Sequence, residues 1–150
     1  MQHFRERLIP GVGTLVAVLL LLPAIFIILL PLSATVGIIA AIGITIAVEA
    51  LLLVVAPVVE VVDGVLVAGS ARIPVSLTGD TEPFRGAEAV QARGPGLDAR
   101  AFTLFRGWVD PVLRIALTDP DDPAPYWLVS TRRPEELQAA LAAERAATSA

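Results

Sequence analysis

Two groups of charged side chains lie close together in 118-TDPDDPAPYWLVSTRRPEEL-137 and could do chemistry. Asp119, Asp121 and Asp122 offer carboxylate oxygens, the ligands that Ca²⁺ prefers. A calcium loop needs about six to eight oxygens and usually a glycine, whereas residues 119–125 have no glycine and are stiffened by three prolines. Aspartate beside proline favours a turn by hydrogen-bonding the local backbone. We therefore interpret the aspartates as a turn, keep a metal site as the alternative, and predict no cofactor.

Arg132 and Arg133 come directly before a predicted helix, where positive charge opposes the helix dipole. An acidic group is therefore expected beside them, either in the aspartate turn or at Glu135 and Glu136. The alternative is an anionic lipid headgroup, which two arginines and the free N–H groups of a helix start could bind. Trp127 is a further possible contact for a lipid or partner, although tryptophans are more often core anchors.

Glu49 is the single ionisable residue inside a long apolar stretch. A carboxylate at the centre of a membrane helix costs roughly 2.5–3.5 kcal/mol. Thr45 lies four residues earlier on the same helix face, so we predict that its hydroxyl satisfies Glu49 locally. The alternative is a proton or ion relay, which would need further polar partners.

The composition excludes several classes of function. The chain has 150 residues, no cysteine and one histidine, so disulfides, thiolate chemistry and a site with several histidines in one chain are ruled out. A net charge of −4 argues against nucleic-acid binding. No phosphate loop, dinucleotide fingerprint or Ser–His–Asp set is present. We therefore predict that the protein is not an enzyme.

The elements that must position these side chains begin with two apolar stretches, residues 8–30 and 33–56, each long enough to cross a bilayer. Pro23 predicts a kink in the first, and the short connection predicts an antiparallel hairpin filling residues 1–57. Arg5 and Arg7 place the N-terminus, and hence both termini, in the cytoplasm. Small residues four apart pack the hairpin or, alternatively, form a homodimer face; they are Gly13, Ala17, Ser33, Gly37, Ala41, Gly43 and Ala47.

Residues 58–147 show a different pattern, with short alternating runs that predict about seven strands. Asp63-Gly64 is a strong hairpin signal, and Pro74 predicts that the third strand, 71–77, is either an edge strand or bulged. A C-terminal helix is predicted over 134–146. The fold class is therefore α+β, a two-helix transmembrane hairpin followed by a small antiparallel domain closed by a helix, which is the order of elements in a pleckstrin-homology (PH)-like domain.

Several strings carry a family resemblance. The chain resembles the actinobacterial domain-of-unknown-function 3093 family in Arg5-Glu6-Arg7-Leu8, in 61-VVDGVLVAGSARIP-74, in 94-GPGLD-98 with Ala101-Phe102, and in 107-GWVDPVLRIALTDPDDPAPYWLVSTRRPEEL-137. The resemblance implies a multi-pass protein of the bacterial plasma membrane with two spans and a cytoplasmic, PH-like domain. It implies no activity, substrate or catalytic residue.

Three functional hypotheses follow. The first is a non-enzymatic, membrane-anchored interaction or scaffolding module whose partners are the bilayer and an unknown protein or a second copy. The second is a regulator that senses anionic lipid or ions through the two arginines. The third is a small transport-related subunit that uses Glu49.

Overall fold

The computed structural model describes residues 2–148, without the side chains of Gln2 and His3. The chain divides into two compact units. One comprises Ile9–Ala56, and the other joins the residues up to Leu8 with those from Pro57 onward. This division differs from the sequence boundary at residue 57, because the first eight residues belong to the second unit. We call the two units the helical hairpin and the β domain.

The helical hairpin is built from three helical segments, α1 (Val12–Leu19), α2 (Leu21–Leu29) and α3 (Ala34–Val54). Helix α1 ends at the residue whose carbonyl would receive the N–H that proline lacks at Pro23, which gives the interruption at Leu20 a physical reason. The described residues contain two candidate spans by length and apolar composition, Val12–Leu29 and Ala34–Val54. Both are shorter than the stretches expected from sequence.

Small residues on α3 pack this hairpin together. Gly37, Ala41 and Thr45 are the buried residues of α3, one turn apart. A Cβ added at Gly37 would lie 3.2 Å from Phe26 Cδ2 and 3.3 Å from its carbonyl oxygen, so the helix backbones approach closely there. These positions therefore serve the contact within the hairpin, as small residues do between membrane helices.

The first sheet of the β domain combines one strand that precedes the helical hairpin in the chain with three that follow it. Its order is β1-β2-β3-β4, and every neighbouring pair is antiparallel. The strands are β1 (Gln2–Arg7), β2 (Val58–Val62), β3 (Val65–Ala68) and β4 (Ala71–Pro74). Asp63 and Gly64 have φ angles of 48° and 75°, as a tight Asp-Gly hairpin requires. Strand β4 lies at the sheet edge, where Pro74 is tolerated, and a 3₁₀ turn over Val75–Leu77 replaces the rest of the expected strand.

The second sheet has the order β5-β7-β8-β6. Its elements in chain order are β5 (Thr78–Phe84), helix α4 (Gly86–Arg93), β6 (Phe102–Leu104), β7 (Val112–Leu117) and β8 (Tyr126–Ser130). The β6–β8 pair is parallel, so the expectation of a wholly antiparallel domain is wrong at this edge. Strand β6 runs in the same direction as β5, because helix α4 and residues 94–101 connect the two and make a crossover long enough to return the chain.

Helix α5 (Pro134–Thr148) completes the β domain. Its apolar stripe, Leu137, Ala140 and Leu141, is buried in the main core together with residues from both sheets. A smaller core lies on the other face of the second sheet, where Ala89 of α4 packs near Val112 and Leu128. The α+β class, the two apolar helical stretches, the sheets and the C-terminal helix are thus confirmed.

Candidate functional site

Glu6 is the centre of the most connected polar cluster in the β domain. It faces inward from strand β1 and is only 8% exposed. The Thr131 hydroxyl donates to Glu6 Oε2 over 2.5 Å, and the Arg132 N–H donates to Oε1 over 3.1 Å. The Arg132 guanidinium Nη1 lies 3.7 Å from Oε1. A buried carboxylate is costly unless it is paired and hydrogen-bonded, and these contacts meet that need.

Arg133 ties the same strand to helix α5 from the outside. Its Nη1 forms an ion pair with Glu136 Oε2 at 2.9 Å, and its Nη2 donates to the Arg5 carbonyl oxygen over 2.8 Å. The guanidinium carbon lies 4.8 Å from the centre of the Phe4 ring, within the range of a cation–π contact. The Arg133 N–H donates to Thr131 Oγ1 over 3.1 Å. The Thr131 hydroxyl therefore links Glu6 to the start of α5. We call Glu6, Thr131, Arg132, Arg133 and Glu136 the Glu6 cluster.

A second connection holds the end of the N-terminal segment. Leu8 is fully buried, its N–H donates to the Pro57 carbonyl oxygen over 2.9 Å, and Trp108 Nε1 donates to the Leu8 carbonyl oxygen over 3.0 Å. The apolar stretch predicted to begin at residue 8 therefore starts one residue too early, because Leu8 is buried in the core of the β domain. The two points where the chain leaves and re-enters the β domain are thus hydrogen-bonded to each other.

Arg132 and Arg133 have one acidic partner that their local sequence does not indicate. Pairing with Glu136 was expected and is present. Glu135 instead pairs with Arg85, with Arg85 Nη2 lying 2.6 Å from Glu135 Oε2. That contact, the hydrogen bond from Arg85, lowers the pKa of the Glu135 carboxyl below its usual value. The remaining acidic partner is Glu6.

The sequence does contain a signal that could have revealed Glu6. Phe4, Glu6 and Leu8 are buried, whereas Arg5 and Arg7 are exposed, which is the two-residue period of a strand. The charge at the middle inward position hides this period, because a buried glutamate is rare unless it is paired. Its partners are also distant in sequence: Glu6 and Thr131 are 125 positions apart, so no local pattern connects them.

The aspartate stretch folds back on its own backbone. Asp119 Oδ1 accepts the Asp121 N–H at 3.0 Å, and Asp122 Oδ1 accepts the Ala124 N–H at 2.8 Å. These two-residue contacts are typical of aspartate turns. Within residues 2–148, no group of three histidine, aspartate or glutamate side chains is placed to hold a metal ion.

Trp127 and Thr45 do not make the contacts that were predicted for them. Trp127 is 5% exposed and its ring centre lies 4.5 Å from that of Phe102, so it is a core residue and does not present a contact for lipid or partner. In the helical hairpin, Thr45 is 3% exposed, but its hydroxyl oxygen has no hydrogen-bond partner among the described residues. The predicted Thr45–Glu49 hydrogen bond is therefore not formed.

Comparison with known proteins gives one match. The model of a family described as "Protein of unknown function (DUF3093)" matches residues 3–141. No curated protein and no solved structure matches the chain. The matched range begins before the Glu6 cluster's first residue and ends after its last.

Proposed function

Because the chain belongs to the DUF3093 family of proteins of unknown function, its role must come from its own structure, and we propose a membrane-anchored interaction module. In this proposal the helical hairpin crosses the bacterial plasma membrane twice. The β domain is a PH-like domain held at the cytoplasmic face, and it acts by binding a protein partner without catalysis.

The pairing of β1 with β2 is the observation that carries the proposal. One strand precedes the helical hairpin and the other follows it, and they are neighbours over the register Arg7↔Val58 to Gln2↔Val62. A folded domain cannot be divided by a bilayer, because every backbone polar group in the hydrocarbon core must be satisfied. In the proposed arrangement the two ends of the hairpin therefore lie on one side of the membrane, which fits an even number of spans.

The distribution of exposed apolar side chains supports membrane insertion. Among the described residues, the large apolar side chains that are exposed lie between Ile9 and Val55, with the single exception of Val90. Val12, Leu32 and Val54 are each at least 75% exposed. An apolar surface of this extent is unfavourable in water and favourable in hydrocarbon. The anchoring role therefore falls to the helical hairpin and the binding role to the β domain.

The orientation rests on two arginines. Arg5 and Arg7 are exposed on β1 and lie just before the helical hairpin, and positive residues near short spans favour the cytoplasmic side. The PH-like assignment rests on the two sheets and on α5, which packs its apolar stripe into the core that they share. Both features support the proposal by physical analogy.

An interaction module fits the Glu6 cluster better than a lipid sensor does. Arg132 and Arg133 are already engaged by Glu6 and Glu136, and the start of α5 also carries Glu135. An anionic headgroup would have to compete with Glu6 and Glu136 for the two arginines, and Glu135 would repel it. The two arginines are therefore better suited to holding β1 in place than to reading lipids.

The topology can be tested by labelling single cysteines, because the chain contains none of its own. Ser70→Cys lies in an exposed turn of the β domain, and Ser33→Cys lies between α2 and α3. In intact cells, a membrane-impermeant maleimide should label the cysteine at position 33 and not that at position 70. Permeabilised cells, in which both should react, provide the control. Labelling of position 70 in intact cells would contradict the proposed orientation, and recovery of the chain in the soluble fraction would contradict the anchor.

A further inference from the structure

A groove lies beside helix α4 on the outer face of the second sheet. Ala89 of α4 is fully buried against that face, but the helix covers only part of it. The uncovered part forms a cavity of about 440 Å³ whose lining includes Glu82, Phe84, Ala87, Glu88, Gln91, Ala92 and Arg114. This volume lies within the range of about 300–1,000 Å³ that binding pockets occupy. We call it the α4 groove.

The floor of the α4 groove is held in place by Arg114. Its guanidinium carbon lies 5.1 Å from the centre of the Phe84 ring and 5.6 Å from that of Tyr126. The guanidinium also forms an ion pair with Glu82. The Tyr126 hydroxyl accepts the Asp98 N–H over 2.8 Å, which fixes the ring from the other side. The groove is therefore pre-formed, so that binding of a ligand costs little entropy for ordering these side chains.

The charges around the α4 groove do not cancel. The ion pair with Arg114 neutralises Glu82, whereas Glu88 is exposed and has no ion-pair partner within residues 2–148. An occupant must thus combine an apolar part for Phe84, Ala87 and Ala92 with a positive charge for Glu88.

We propose that the α4 groove binds a peptide segment in which a basic residue stands next to an apolar one. Its basic side chain pairs with Glu88, and its neighbouring apolar side chain covers the floor around Phe84. The Gln91 side-chain amide and the N–H groups of Arg114 that Glu82 does not use donate to the peptide's carbonyl oxygens. Anionic ligands are disfavoured, because two carboxylates line the groove.

The natural source of such a segment follows from where the domain is held. Short cytoplasmic segments of membrane proteins are enriched in lysine and arginine directly beside apolar span ends. We therefore assign the occupant to the cytoplasmic juxtamembrane segment of another membrane protein. This assignment rests on the proposed function, whereas the peptide chemistry of the α4 groove does not.

The binding chemistry can be measured with the full chain in nanodiscs of neutral phosphatidylcholine, which do not attract basic peptides. The probe is a fluorescein-labelled synthetic peptide in which arginine and leucine alternate, and the readout is fluorescence anisotropy. Saturable binding is expected, weakened roughly five- to tenfold by Glu88→Arg and to a smaller extent by Glu88→Gln. Ala87→Trp, which fills the groove from an exposed position, should also weaken binding.

Matched controls separate the groove from general charge attraction. Asp121→Arg makes the same charge reversal in the exposed aspartate turn, and Ala143→Trp adds the same bulk on an exposed face of α5. Both should bind the probe like the unmodified chain, and peptides with glutamate for arginine or serine for leucine should bind weakly. Equal weakening by Glu88→Arg and Asp121→Arg, or no effect of Ala87→Trp, would overturn the proposal. Because this assay does not depend on membrane orientation, its failure is distinct from a failure of the cysteine labelling.

Discussion

Thr131 in the β domain and Thr45 in the helical hairpin are both almost completely buried, yet their hydroxyls differ in hydrogen bonding. The Thr131 hydroxyl donates to Glu6 and accepts the Arg133 N–H, whereas the Thr45 hydroxyl oxygen has no hydrogen-bond partner within residues 2–148. The β domain thus uses buried polar groups to join distant parts of the chain. The hairpin depends on close contact between small residues, and the buried Thr45 hydroxyl contributes no hydrogen bond to it within the described residues.

The largest test of this comparison is the removal of the carboxylate at the centre of the Glu6 cluster. Glu6→Ala leaves the Thr131 hydroxyl and the Arg132 N–H without their acceptor and should lower the free energy of unfolding of the β domain by about 3 kcal/mol. Thermal or urea unfolding followed by tryptophan fluorescence measures it, since both tryptophans, Trp108 and Trp127, lie in this domain. Glu6→Gln, which keeps the side-chain volume and one acceptor oxygen, should lose less; equal losses would show that the negative charge, and not packing or a neutral acceptor, provides the stabilisation.

The next test makes one substitution at both threonines. Thr131→Val should cost about 2 kcal/mol, because it leaves Glu6 short of a donor and the Arg133 N–H short of an acceptor. Thr45→Val replaces a hydroxyl that has no partner and should change stability by less than about 0.5 kcal/mol, or increase it. Hydrogen–deuterium exchange of the full chain in detergent reports both. Faster exchange in α3 after Thr45→Val would show that its hydroxyl binds something the chain itself does not provide.

A smaller effect is expected at the boundary between β1 and the helical hairpin. Trp108→Phe keeps most of the ring but removes the hydrogen bond to the Leu8 carbonyl oxygen. The expected cost is about 1 kcal/mol, the usual net contribution of a hydrogen bond. Fluorescence of Trp127 during urea unfolding measures it. Unchanged stability would mean that water replaces the indole N–H at this carbonyl without loss.

The smallest expected effect concerns two exposed ion pairs that sharpen the contrast with Glu6. Arg85 lowers the pKa of Glu135, and Arg100 lowers the pKa of Asp98, in each case chiefly through a side-chain hydrogen bond. Because these pKa values are lowered, the two pairs stabilise the fold above the unfolded pKa of each acid, and this contribution is lost as the pH falls through the folded pKa. Arg85→Ala should raise the pKa of Glu135 alone and Arg100→Ala that of Asp98 alone, as followed by NMR titration. A shift of both by either change would show coupling.

Much of the β domain could be predicted from local patterns, and the Glu6 cluster could not. Val58–Val62 and Val65–Ala68 are β-branched runs on either side of Asp63-Gly64, so the adjacent residues alone predict that the two strands pair as a hairpin. Strand β1 has no such neighbour, because its partner follows the entire helical hairpin. Hydropathy also draws Leu8 into the apolar stretch that follows it, although Leu8 is buried in the domain core.

The candidate site shows the same limit. The position of Arg132 and Arg133 before a helix correctly predicts that they need acidic partners, and Glu136 lies within local reach. The other partner, Glu6, depends on the tertiary fold, as does the burial of Trp127. The lack of a Thr45–Glu49 contact depends on side-chain orientation in the hairpin, which helix periodicity alone does not fix.

The position of β1 ahead of the helical hairpin has a consequence for biosynthesis. Strand β1 leaves the ribosome before the helical hairpin, but its strand partner is made only after Ala56, and Thr131 is made 125 residues after Glu6. Contacts so distant in sequence form slowly, and unpaired strands are exposed until they do. A chain that stops before Thr131 cannot hold its first strand and leaves an open edge to proteases and chaperones. The Glu6 cluster thereby distinguishes a chain that has been synthesised past Thr131 from one that has not.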